Sequence, residues 1–235
     1  MKIKLSNNQA YRYYYKKNEV GVVMTNSPRI LPPPHKYAVC APADIPIREY
    51  YKDVLEVVYL FYHPFLTSGS KTVSWETFLH SSGLNDLKQL DIGLRTIITG
   101  LKKKYADYHA SKITLEVCEE KGYTLPSEGV FPTTIMNDIF SSIQKLGHDW
   151  LWCGDEHGTE RKLEHIDDLA NDENIYIHCR NLFTYDHQLL ITTHWDSHFS
   201  MLCSNSRTVQ DIVENCKLEG FYCGDTTEIY WSIFG

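Results

Sequence analysis

Near residue 148 the hydrophobic pattern of this chain changes its period, and that change narrows the fold more than any other feature. Upstream, apolar residues recur at steps of three and four. Leu87, Leu90, Leu94, Ile97, Leu101 and Tyr105 form one stripe, which predicts a helix over residues 85–108. Val54, Val57, Val58 and Phe61 predict another, opening near Pro46 and ending at His63-Pro64. Ser74-Trp75-Glu76 reads as an N-cap with an acidic first turn, followed by a stop at Gly83. A short helix over 111–121 ends at Gly122, and Ile135, Ile139, Ile143 and Leu146 mark one more, ended by Gly147. Downstream the runs are short and strand-like: Asp149 to Cys153, Ile175 to Cys179, Leu189 to Thr193, His198 to Cys203 and Glu228 to Phe234. Short helices over 163–170 and 207–217 interrupt them. Helices first and strands after predict an α+β fold, with a helical N-terminal half packed on a C-terminal, mostly antiparallel sheet.

The prolines set the domain organisation. Leu31-Pro32-Pro33-Pro34 loses three backbone donors and fixes φ, so this stretch is extended. Residues 1–45 are therefore expected to form a peripheral proline-rich segment. Residues 46–235 are expected to form a single domain, helical over 46–147 and sheet-rich over 148–235. A chain of 235 residues is long enough to bury a sizeable core.

Charge and cysteine usage restrict the function classes. The net charge is −7, which disfavours sequence-independent nucleic-acid binding. The main basic run, Lys102-Lys103-Lys104, sits at a predicted helix end, where cations complement the helix dipole. Aromatics reach 13%, with 16 Tyr, a residue equally at home at a core rim and at an interface. Acidic loops and abundant aromatics suit docking to a basic protein partner. The seven Cys are odd in number and include no C-x-x-C pair, so neither a disulfide framework nor a zinc ribbon is expected. The start has no apolar run of signal-peptide length, and no stretch approaches a membrane span. The expectation is a cytoplasmic chain with reduced thiols, no membrane association and no cofactor; the oligomeric state is left open.

Three clusters carry residue types that do chemistry. His194 and His198 stand four apart around Asp196, a spacing that serves a metal on a helix. Their flanks look like paired strands, and the residue after His194 is Trp195 rather than a zinc hydrolase's Glu. With Asp196-Ser197 as a two-residue hairpin loop, His194 pairs with Phe199 and Trp195 with His198. The two imidazoles then point to opposite faces. Cys153 is a candidate nucleophile, with His198 as base and Asp196 or Asp225 as orienter. Against this, it follows an apolar strand rather than opening a helix, so a buried structural thiol is the competing reading. Asp155-Glu156-His157 and Asp167-Asp168 hold carboxylates suited to a hard cation or to acid–base work, or simply to a solvated loop and helix face.

Several segments together resemble the YwbB-like family of uncharacterised proteins from Bacillus-type bacteria. They are Phe61-Tyr62-His63-Pro64-Phe65, Val73-Ser74-Trp75, Ser82-Gly83-Leu84, Leu94-Arg95-Thr96, Gly100 to Ala106, Lys121-Gly122-Tyr123, Pro126 to Phe131, Trp195-Asp196-Ser197 with Phe199, and Leu218-Glu219-Gly220-Phe221 with Thr227-Glu228. The resemblance spans roughly residues 61–234, implies no activity and supplies no catalytic residues. Its pattern centres on Trp-Asp-Ser without the flanking histidines. The C-terminal order of elements is also similar to bacterial toxin-immunity proteins, small acidic proteins that bind and block a toxin. A non-enzymatic binding or immunity-like role is the leading expectation. A hydrolase using Cys153 or the His194–Asp196–His198 region is the alternative.

Overall fold

The structure, a computed structural model, describes residues 37–171 and 179–229 in full, and the backbone of 11–16 and 19–24. The chain divides into two units, Met1–Pro34 and His35–Gly235. In the first, β1 (Tyr11–Lys16) and β2 (Glu19–Met24) pair as an antiparallel hairpin. All that follows concerns the second.

That unit is built on β3 (Val57–Tyr62), whose six residues offer no charged side chain to a solvent face. A strand of this kind is stable only between two apolar layers. It lies in a seven-stranded sheet of order β12-β3-β11-β10-β9-β7-β8, with every neighbouring pair antiparallel. The other strands are β7 (Trp150–Gly154), β8 (Arg161–His165), β9 (Asn181–Phe183), β10 (Leu190–Thr193), β11 (Phe199–Ser204) and β12 (Gly220–Tyr222). A small three-stranded sheet joins β4 (Phe65–Thr67), β5 (Thr72–Val73) and β6 (Tyr123–Thr124).

Each face of the large sheet carries its own core. Val58, Leu60 and Tyr62 share one cluster with Phe199, Met201 and Cys203. That cluster includes side chains of α1 (Ile47–Tyr51), α2 (Trp75–Ser82), α3 (Leu87–Ile97) and α4 (Tyr108–Lys121). Tyr59, Phe61 and Leu202 point the other way, among residues of α5 (Thr133–Lys145), α6 (Ile166–Asn171) and α7 (Ser206–Cys216). Alternation along each strand thus feeds two layers of helices. Each fully buried aliphatic or aromatic side chain contributes roughly 1.5–3 kcal/mol.

The α+β class is the one expected, while the division into a helical half and a sheet half holds only loosely. β3, a central strand, comes from the N-terminal half, and α6 and α7 come from the C-terminal half. The helix expected from Pro46 to Phe61 is only the short α1 followed by β3. In an unbroken apolar run, positions three and four apart are apolar by necessity, so the helical spacing carried no information. The helix expected over 85–108 stops at Ile97; Thr99 turns left-handed at φ 59°, and Asp107 then caps α4. Residues 161–165, partly assigned to a helix, form β8. β12 was not expected. Ile175 to His178 and most of the terminal strand, Tyr230 to Phe234, lie outside the described residues.

Candidate functional site

The register of β10 on β11 pairs Thr193 with Ser200 and Thr192 with Met201. The paired register ends there, and His194 to His198 form the loop between the two strands. Both rings sit near α3: His194 feels the charge of Arg95, and His198 feels that charge and the Leu94 carbonyl. The two rings hold different hydrogen-bond partners. Among the described residues, no group of three or more His, Cys, Asp or Glu side chains is placed to hold a metal.

His198 meets another histidine instead. The register of β11 on β3 brings His63 opposite it, and the His63 N–H donates to the His198 carbonyl at 2.9 Å. The His63 carbonyl accepts from Trp75 Nε1 at 2.8 Å, and Trp75 stacks on Tyr62. His63 Nδ1 lies 2.7 Å from the Ser127 carbonyl, and Nε2 lies 2.8 Å from Ser200 Oγ. A carbonyl oxygen only accepts, so Nδ1 carries the proton and Ser200 donates to Nε2. His198 Nδ1 faces the Pro126 and Ser127 carbonyls at 3.1 and 3.3 Å. Both rings therefore clamp the chain at Pro126-Ser127.

The Ser200–His63–carbonyl line has the connectivity of a nucleophile, base and orienter. Its environment argues otherwise. His63 and Ser200 are fully buried. Burial pushes His63 down to about 3, with nearby His198 adding to the fall, so the ring is a weak base at neutral pH. Burial likewise takes His198 to about 4, against the opposing pull of the Ser127, Pro126 and Leu94 carbonyls. This hub reads as a neutral, buried polar clasp.

The tip of the hairpin differs. The Ser197 hydroxyl and the Asp196 N–H both approach His194 Nδ1, at 2.9 and 3.3 Å, so this ring carries its proton on Nε2 and closes the turn from inside. Burial takes His194 to about 3, helped by the charge of Arg95. Gly129 donates its N–H to the Ser197 carbonyl at 3.1 Å, and its φ is 60°. A Cβ there would collide with the Trp195 carbonyl, and one on Gly100 would lie 3.2 Å from the Asp196 carbonyl. Two loops thus grip the turn, yet the Trp195 side chain is 57% exposed. Beside it, burial raises the pKa of Asp196, partly opposed by Arg95 and reinforced by Glu156. Burial and the charge of Asp196 raise that of Glu128. The tip therefore carries an exposed indole next in sequence to Asp196, whose charge adds to the burial that raises Glu128.

Arg95 connects tip and core. It is 1% exposed, its Nη1 donates to the Ile229 carbonyl at 2.8 Å, and it lies 4.0 Å from Asp91, one turn earlier on α3. Asp91 is fully buried, and neither of its carboxylate oxygens has a hydrogen-bond partner. Burial lifts it to about 6 in spite of Arg95.

The remaining candidates are dispersed. Cys153 lies on β7, three strands from β11, or about 14 Å away across the sheet. It is joined to Cys179 in a disulfide with a Cα separation of 5.4 Å, contrary to the expectation of reduced thiols alone. The pairing was hidden because the partners are 26 residues apart in sequence and come together only through the β7–β9 pairing. Asp225 pairs with Arg48 at 2.8 Å. Asp155 binds Thr159 and the Glu160 N–H within its own turn, while Asp167 accepts from Gln144 and faces His165. Glu128, His63 and Ser200 were missed; the apolar run ending in His63-Pro64 was the available signal, and it was read as a helix stop.

No helix among the described residues is long and apolar enough to cross a membrane. Comparison with curated proteins and with solved structures finds no match to the chain. A family match covers residues 66–233, well over half of the chain, and includes α3, the Pro126–Phe131 loop and the Trp195 hairpin. By that match the chain belongs to the DUF2711 family, proteins of unknown function.

Proposed function

We propose that this protein acts by binding rather than by catalysis, and that it takes a cationic protein segment at the Trp195 tip. One observation carries the reading: a gripped turn holds an indole 57% exposed beside Asp196 and Glu128, two carboxylates whose pKa values are raised. An arginine or lysine of a partner would stack on the indole and offset the charge of the carboxylates. The net charge of −7 favours the same class of partner. An immunity-like role, blocking a basic toxin, fits this chemistry. So does a place in the cytoplasm of a Bacillus-type bacterium, among the YwbB-like proteins that its motifs resemble. The hydrolase alternative lacks support among the described residues: Cys153 is bonded to Cys179, and no group of three or more His, Cys, Asp or Glu side chains is placed to hold a metal.

The test titrates the purified protein with an arginine-rich peptide and with an acidic peptide of equal length, at low and high salt. Binding of the basic peptide alone is expected, lost in Trp195→Ala and in Glu128→Gln/Asp196→Asn but kept in Glu116→Gln/Glu119→Gln. Equal binding by all four proteins would defeat the proposal. So would steady turnover of a chromogenic ester or phosphoester that Trp195→Ala leaves unchanged.

A further inference from the structure

Of the seven cysteines, five carry free thiols and two are joined. We propose that Cys153 and Cys179 form a reversible thiol–disulfide exchange site, whose reactant is a small disulfide or thiol of the glutathione class. This inference is independent of the binding reading.

The setting of the other five separates the pair from a structural framework. Cys118, Cys203 and Cys223 are buried, and Cys40 and Cys216 are partly so. Burial pushes Cys40 and Cys223 up to about 12 and Cys118 to about 11, and raises Cys203 and Cys216 as well. Such thiols react slowly. A domain stapled for an oxidising compartment does not ordinarily keep five of seven cysteines free. A single pair among inert thiols follows the redox state around it.

The local geometry accommodates both states. The Cα separation of 5.4 Å lies inside the range a disulfide spans without moving the backbone. When the pair is open, the Cys179 thiol has an acceptor ready, the Asn181 carbonyl at 3.6 Å. The backbone around the pair is held without the sulfurs. Arg180 N–H donates to the Gly154 carbonyl at 2.9 Å, and Asn181 Nδ2 donates to the Asp155 carbonyl at 2.5 Å. Opening the bond thus leaves the two sulfurs close enough to rejoin.

Exposure sets the order of steps. Cys153 is part-exposed, whereas Cys179 is 1% exposed. The Cys153 thiol gives its proton to solvent, and its thiolate attacks one sulfur of the small disulfide. A protein–glutathione bond forms and one glutathione thiolate leaves. Cys179, after losing its own proton, attacks the Cys153 sulfur and expels the second thiolate. Two protein thiols and one small disulfide become one protein disulfide and two small thiols. Reduction runs the same path backwards, starting at the Cys153 sulfur. The closed bond encloses residues 154–178, which include β8 and α6, and so restricts the unfolded chain.

The experiment places the full chain in buffers of graded reduced-to-oxidised glutathione ratio, quenches with acid, alkylates, and reads intact mass and peptide maps. As the ratio becomes oxidising, the protein should lose two hydrogens and two alkylatable thiols, all at Cys153 and Cys179, and its Tm should rise by several degrees. Cys179→Ser should accumulate a glutathione adduct at Cys153, while Cys153→Ser should accumulate none at Cys179. If a variant fails to fold, limiting iodoacetamide on the reduced wild-type protein gives the same reading, with Cys153 labelled first. Three results would each overturn the proposal: a pair that stays closed in excess reduced glutathione, a pair that never closes, or adducts that form first on Cys179.

Discussion

One hairpin has two kinds of surroundings. On its inner side, His198 and His63 press neutral rings against the Pro126-Ser127 carbonyls, and Ser200 completes the His63 ring. At its tip, Trp195 stands in solvent next to Asp196, whose charge adds to the burial that raises Glu128. The inner residues are needed by the fold, because a buried polar group left without its partner costs about 1–3 kcal/mol. Nothing in the fold requires an exposed indole, and truncating it should barely change stability. The difference separates residues that the fold holds inside from a residue that it leaves exposed. Buried, hydrogen-bonded histidines and serines fall on one side of it, and the exposed tryptophan to which the proposed binding is assigned falls on the other.

The largest expected effect is acid unfolding of the inner side. His63, His194 and His198 are held near 3, 3 and 4, while in the unfolded chain they titrate at their ordinary value of 6.5. The unfolded state therefore binds more protons below pH 6.5, so stability is lost as pH falls from 6.5 towards 4. Each such proton steepens the loss by about 1.4 kcal/mol per pH unit. Asp91 acts in the opposite sense. Its pKa is raised to about 6 from 3.8, so it adds stability as pH falls through that window, offsetting about one histidine. Urea unfolding at intervals from pH 7.5 to 4.5 measures the slope. A flat profile would mean that the three rings are not buried neutral, and the contrast between inner side and tip would fail.

Next in size is Arg95→Met. It strands the Asp91 carboxylate in the core and removes the hydrogen bond to the Ile229 carbonyl. Removing one member of a buried pair costs about 3–5 kcal/mol. The loss should be smaller at pH 5 than at pH 7, because Asp91 can then take a proton. Asp91→Leu/Arg95→Met should recover much of it. An equal loss at both pH values would show that Asp91 is already neutral at pH 7.

How much of this could be read from the chain depended on range. That β10 and β11 pair as a hairpin followed from strand alternation, which is local, and the structure agrees as far as Thr193–Ser200. Ser74 and Gly122 marked helix ends, because caps are also local. β3 was misread because a strand buried on both faces loses the alternation that identifies a strand. The clasp was invisible for another reason. Ser127 and Ser200 lie 64 and 137 residues from His63, and only the sheet order brings them together. Cys153–Cys179 shares that difficulty, at a separation of 26.

Gly129→Ala tests whether the grip on the tip matters. The new Cβ meets the Trp195 carbonyl at a φ of 60°, where an L side chain is already strained. A left-handed residue costs about 1–2 kcal/mol by itself, and the collision adds to it, so a total near 2–3 kcal/mol is expected. Binding of the arginine-rich peptide should weaken with it, because the turn must shift. Unchanged affinity in a folded Gly129→Ala protein would show that the tip works without its support.

The smallest effect on stability, and the sharpest on function, belongs to Trp195→Ala. A side chain 57% exposed has little burial to lose, so the change should stay within about 0.5 kcal/mol. The same substitution should abolish peptide binding, while Glu128→Gln/Asp196→Asn weakens it and flattens its salt dependence. Acidification adds an independent check. Both carboxylates have raised pKa values, so they lose charge sooner than ordinary ones as pH falls, and affinity for the basic peptide should fall with them. A Trp195→Ala protein that is markedly unstable would place the indole with the histidines as a structural residue. A stable one that no longer binds would place it with the carboxylates, on the face that meets the partner.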